Sequence, residues 1–144
     1  LNKKGGVMVY YCRLVEEEGV FLVEFPDVPN ALTSGHSEDE ALFNAAEALN
    51  GVLESDVSHG FPLPEAATGP GEGFHPVEVE PHILIAWELR KLRGEHPQSE
   101  VAAKLGLSYQ AYQRLENPAK GNPTVKTLQR VAKAFGKRLE INLV

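Results

Sequence analysis

The sequence holds one cysteine, one tryptophan and one methionine among its 144 residues. Cys12 alone cannot close an internal disulfide, so packing and hydrogen bonds must hold the fold, as suits a reducing cytosol. No apolar run reaches the roughly 20 residues that a membrane helix needs. The opening stretch LNKKGGVMVYYCRLVEEE has lysines but no signal-peptide core, because Arg13 and the glutamates interrupt it. A cytoplasmic protein is expected. Basic residues are scarce in residues 1–80, where Lys3, Lys4 and Arg13 face fifteen acids for a net −12. Residues 81–144 reverse this, with eleven basic and five acidic residues for a net +6. The whole-chain charge of −6 argues against nucleic acid. The split argues instead for two halves with different partners.

What is present divides the same way. Residues 7–14 and 20–25 are β-branched and aromatic around a polar turn, and predict a hairpin. A short third strand is expected over 31–34. Ser37-Glu38-Asp39-Glu40 is a capping box, which predicts a helix from Ser37 to a point between 57 and 60. Its apolar stripe, Leu42, Ala45, Leu49, Val52 and Leu53, should lie on the small sheet. A domain over 1–65 is therefore expected, an α+β arrangement of a small antiparallel sheet with one packed helix. Residues 66–81 are rich in glycine and proline and predict an irregular linker, although Val77 and Val79 alternate with glutamates and suit an extra strand over 77–79.

Residues 82–144 predict an all-α domain with one terminal strand. HILIAWELRKLR at 82–93 is an amphipathic helix. Next, Gln98 to Leu115 has the layout of a helix-turn-helix. Pro97 suits a helix start, Val101, Ala102 and Leu105 recur at helical spacing, and Gly106 suits a left-handed exit. Ser108 caps a second helix, in which Ala111, Tyr112 and Leu115 share a face. Small Ala102 admits the second helix, which in such motifs enters the DNA major groove. Thr124 caps a further helix ending at Gly136. RLEINLV at 138–144 alternates apolar and polar residues and predicts a terminal strand. Such a strand needs a partner, either the same strand of another chain or the N-terminal sheet.

The C-terminal stretch resembles the lambda-repressor-like, or Xre-type, helix-turn-helix domains. Gln98, Ala102, Gly106-Leu107-Ser108, Arg114-Leu115-Glu116 and Asn122-Pro123-Thr124 carry the likeness. The N-terminal stretch resembles the HicB family of antitoxins, through GVFLVEFPDVP at 19–29, the Glu- and Ala-rich helix and GFPLP at 60–64. GKRLE at 136–140 is similar to HicB proteins that carry a helix-turn-helix. Two positions depart. Asn30-Ala31 stands where such families often have Gly-Cys, and Tyr109 where a basic residue often follows the serine.

The resemblance implies a partial RNase H-like sheet and a HicA-like toxin partner, a small basic protein that cleaves mRNA. It also implies repression of the chain's own operon. The expected partners are thus that toxin through the acidic half, palindromic double-stranded operator DNA through the basic half, and a second copy of the chain.

For DNA, Tyr109, Gln110, Gln113 and Arg114 are the candidate base readers, since Gln suits adenine and Arg suits guanine. Gln98, Ser99 and Ser108 sit near helix N-termini that favour phosphate, and Lys120 lies in the following loop. The plain alternative is a polar surface, and Arg114 is equally placed to pair with Glu116 or Glu88. A nuclease would need paired carboxylates around Mg²⁺. Glu24, Asp27, Asp39 and Glu40 are the candidates, but capping and the turn account for the last three. His36, His59, His75, His82 and His96 have no zinc spacing. No enzyme activity, metal or cofactor is expected. The second reading of function is a stand-alone transcriptional repressor with an N-terminal dimerisation or ligand-sensing domain.

Overall fold

The structure is a computed structural model and describes residues 3–4 and 7–144. Residues 1–2 and 5–6, within the expected 1–65 domain, lie outside the described residues. The chain divides into two compact units. One is Leu1–Leu53 with Leu63–Glu80 and Val144; the other is Glu54–Pro62 with Pro81–Leu143.

The first unit is an antiparallel sheet crossed by one helix. Its elements are β1 (Lys3–Lys4), β2 (Val7–Glu17), β3 (Val20–Glu24), β4 (Thr33–Gly35), α1 (Glu38–Ser58), whose end from Glu54 onward belongs to the second unit, and β5 (Phe74–Glu78). β2 is central: Arg13 lies opposite Glu24 of β3 on one side and Phe74 of β5 on the other. β4 pairs with β3, and β1 with the start of β2. The hairpin turn Glu18-Gly19 has positive φ at both residues, 51° and 80°. That matches the right-handed strand twist in a two-residue loop, and glycine takes the second position without a steric cost. Met8 to Cys12 are all buried, so both faces of β2 are covered at its centre.

The capping serine forms as expected, with Glu40 N–H donating to Ser37 Oγ at 3.1 Å. The buried stripe of α1 is Ala41, Ala45, Leu49, Leu53 and Val57, a strict i,i+4 row. Leu42 and Val52, expected on that stripe, are only half-buried. Two asparagines tie α1 across the sheet. Asn44 Nδ2 donates to the Ser34 carbonyl of β4 at 2.8 Å. Asn50 Nδ2 donates to the Glu78 carbonyl of β5 at 3.0 Å, and Glu80 N–H donates to Asn50 Oδ1 at 2.8 Å. Asn50 is thus a buried polar group with its bonds made.

Residues 66–81, expected as an irregular linker, differ. Phe74–Glu78 forms β5, longer than the strand expected over 77–79. Pro76 is tolerated because, among the described residues, β5 pairs with β2 alone and so is an edge strand. The preceding segment is tied down too. Asp27 accepts from Thr68 N–H at 2.8 Å and from Thr68 Oγ1 at 3.1 Å, and Tyr10 Oη donates to the Pro64 carbonyl at 2.5 Å. Burial raises the Tyr10 phenol to about 12, with Asp27 adding to the shift, and raises the Cys12 thiol to about 11. Cys12 is therefore a packed, protonated side chain at neutral pH rather than a nucleophile.

The second unit has four further helices: α2 (Pro81–Arg93), α3 (Gln98–Leu105), α4 (Tyr109–Leu115) and α5 (Val125–Ala134). Leu89, Val101, Ala102, Leu105, Tyr112, Leu115 and Val131 form its core, with Leu107 and Phe135 packed at the margin. Residues 138–144, expected as a terminal strand, form no strand within this chain, and Ile141, Leu143 and Val144 are exposed. An alternating pattern supplies a face but no ladder, and a strand exists only with a hydrogen-bonded neighbour.

Candidate nucleic-acid interface

The turn between α3 and α4 follows the sequence closely. Gly106 caps α3 at φ 68°, a left-handed position that a side chain would strain. Leu107 N–H then reaches back to the Ala102 carbonyl at 2.9 Å. Ser108 Oγ accepts from Ala111 N–H at 3.1 Å and starts α4. Thr124 Oγ1 does the same for Thr127 N–H at 3.1 Å and starts α5. With Tyr112 and Leu115 buried, the opposite face of α4 is fixed outward.

The nominated residues fall into two groups. Gln110, Gln113 and Arg114 are exposed at i, i+3 and i+4, and they line one cavity together with Lys120 and Gln98. Ser99, Ser108 and Tyr109 are exposed but do not line it. Gln98 is only half-exposed, and its Nε2 donates to Glu116 Oε1 at 3.2 Å. Arg114 does not pair with Glu116 or Glu88. Glu116 is bound by Arg93, and Glu88 pairs with Lys91 at 2.7 Å.

The sequence does not single out Arg93, and it offers Glu116 only within the helix-turn-helix likeness and as a partner for Arg114. Arg93 Nε donates to Glu116 Oε2 at 2.7 Å and Nη2 donates to Oε1 at 2.9 Å, a two-pronged pair with side chains only 16% and 5% exposed. Nη1 donates to the His96 carbonyl at 2.8 Å. The guanidinium thus joins α2, the loop before α3 and the end of α4. The hydrogen bond to Glu116 raises the Arg93 pKa still further. Burial, then the Glu116 carboxylate, raises that of Tyr112, which stays neutral. The available sequence signal was Glu116 itself, a carboxylate directly after a core leucine at a helix end.

The acids weighed for a nuclease are dispersed. Asp27 is engaged by Thr68, and Glu24 pairs with Arg13 at 2.9 Å. Asp39 and Glu40 are exposed on the first turn of α1. Among the described residues, no three His, Cys, Asp or Glu side chains are grouped to hold a metal ion. Among those residues, too, no helix is long and apolar enough to cross a membrane.

Comparison with known proteins covers both units. Residues 88–142 match a helix-turn-helix family, and residues 10–80 match a family described as HicB_like antitoxin of bacterial toxin-antitoxin system. A protein named Antitoxin HicB 1 from Photorhabdus laumondii is 30% identical, over 88% of this chain and 81% of its own length. Antitoxin HicB from Escherichia coli K12 is also 30% identical, over 88% of this chain and 92% of its own.

Proposed function

We infer the function from one premise: this chain belongs to the HicB family of antitoxins. It neutralises a small, basic, HicA-like toxin that cleaves mRNA, and it represses its own operon. It works by binding, without turnover. The observation that carries the DNA half is the outward row Gln110, Gln113 and Arg114 on a capped α4, in a sequence half of net charge +6. That row supplies amide and guanidinium groups for base edges, while the surrounding cations suit phosphates.

The toxin half rests on charge. Glu16, Glu17 and Glu18 are exposed around the hairpin turn, and Glu38, Asp39 and Glu40 at the start of α1. Such a surface raises the association rate with a basic partner and selects for it. The deciding experiment co-expresses the chain with the product of any small basic open reading frame found beside its gene. Rescue of growth and co-purification are expected. Growth arrest unrelieved by this chain, with no complex recovered, defeats the antitoxin reading and leaves a stand-alone repressor.

For DNA, Arg114→Ala and Gln110→Ala each weaken specific operator binding by about 1–3 kcal/mol for every base edge that is no longer read. Titration of operator duplex against a scrambled duplex measures this. Unchanged specific affinity in both variants removes the two residues from base readout.

A palindromic site requires a two-fold protein. The segment 138–144 supplies the dimer interface by pairing with its copy in a second chain, since Ile141 and Val144 are apolar and exposed. Deletion of 138–144 lowers the dimer fraction in sedimentation. An undiminished dimer mass sinks that assignment.

A further inference from the structure

Two residues that line the cavity beside α4 each carry a buried polar atom without a partner among the described residues. Ser58 Oγ and Arg90 Nη1 are sealed from solvent without a hydrogen bond, and both residues line the cavity. An unpaired buried guanidinium nitrogen is costly, which makes an acceptor there favourable. Four cations line the space, Arg90, Arg93, Arg114 and Lys120, against one carboxylate. That carboxylate, Glu116, is already committed to Arg93 and Gln98. The other polar side chains in the lining, apart from Ser58, are amides. The cavity volume is ≈ 710 Å³, within the range of small-molecule sites and well beyond the needs of a single water.

We propose that this cavity binds a small phosphorylated molecule, its phosphoryl oxygens held by Arg90 and Ser58. An arginine fork matches phosphate geometry, and a serine hydroxyl adds a neutral donor. In the structure both atoms are shut off from the open space, and rotation of their side-chain bonds would turn them toward a bound anion. The occupant shares its lining with Gln110, Gln113 and Arg114, so it sits against the helix assigned above to DNA.

Trp87 supplies the readout. It is the only tryptophan, and the Arg90 guanidinium carbon lies 5.5 Å from its ring centre. The full-length chain is titrated with inorganic pyrophosphate, without DNA, at constant ionic strength, and Trp87 fluorescence is followed. A saturable change is expected. Arg90→Gln and Ser58→Ala each weaken binding, the former at least about tenfold, the size of one charge-assisted hydrogen bond. Lys91→Gln is the control, because Lys91 Nζ lies 5.9 Å from the same ring but does not line the cavity. Its affinity for pyrophosphate should equal that of the parent chain. Melting curves confirm that each variant is folded, and Ser58→Ala carries the test if Arg90→Gln is not. The proposal fails if pyrophosphate gives no saturable change. It also fails if both variants bind as the parent does, if chloride at equal ionic strength reproduces the signal, or if only duplex DNA produces it. The titration contains no DNA, so its failure is separate from failure of the operator reading.

Discussion

Glu116→Ala is expected to destabilise the second unit by about 3–5 kcal/mol, the cost of breaking a buried ion pair from one side. The carboxylate accepts from Arg93 at 2.7 and 2.9 Å and from Gln98 at 3.2 Å. Alanine removes all three hydrogen bonds and leaves the Arg93 guanidinium, only 16% exposed, with its charge unmatched. The three donors come from α2 and the start of α3, while Glu116 closes α4. Without the carboxylate the frame that orients Gln113 and Arg114 loosens, and operator affinity should fall with stability. Urea unfolding followed by Trp87 fluorescence measures the change. Glu100→Ala provides the contrast, because its pairing with His96 at 3.4 Å joins side chains that are both 63% exposed. Removing such a surface pair should shift stability by no more than about 0.5 kcal/mol. Equal unfolding midpoints for Glu116→Ala and Glu100→Ala would show that the buried pair adds nothing.

Gly121→Ala should cost about 3 kcal/mol, by crowding rather than by backbone strain. A Cβ at that position would overlap the Arg114 carbonyl oxygen and stand 2.9 Å from the Asn117 carbonyl oxygen. Both are backbone atoms, so no flexible side chain can move aside. Gly121 N–H also donates to the Asn117 carbonyl at 2.7 Å, which pins the loop against α4. Either the loop must lift, carrying Lys120, or the last turn of α4 must shift, carrying Arg114. Gly51→Ala is the opposite case. Gly51 lies inside α1 with open space where a Cβ would go, so alanine should stabilise by about 1 kcal/mol through helix propensity. Thermal melts of the two variants should move in opposite directions. A Gly121→Ala chain that melts with the parent and binds operator equally well would dismiss the close approach as a determinant of the site.

The sequence by itself determined what depends on near neighbours. Ser37, Ser108 and Thr124 set helix starts because a hydroxyl caps an N–H only three residues away. Gly106 ended α3, and Glu18-Gly19 closed the first hairpin. The i,i+4 spacing of Ala45, Leu49 and Leu53 marked a buried helix face, and the charge division separated the acidic from the basic half. Gln110, Gln113 and Arg114 could be placed together on α4 for the same local reason.

Only the tertiary structure decided what depends on distant partners. The glycine- and proline-rich stretch became β5 because β2 offers it a ladder and Asp27 holds Thr68, 41 residues away in sequence. Glu116 is taken by Arg93, 23 residues before it, and Glu88 by Lys91, so neither carboxylate pairs with Arg114, which faces outward. Gly121 matters through atoms of α4 and the turn after it, and Ser58 and Arg90 through a cavity that no spacing announces. Periodicity states which side of an element is buried. It does not state what is buried against it, because side-chain pairing energies are met only once packing brings the elements together.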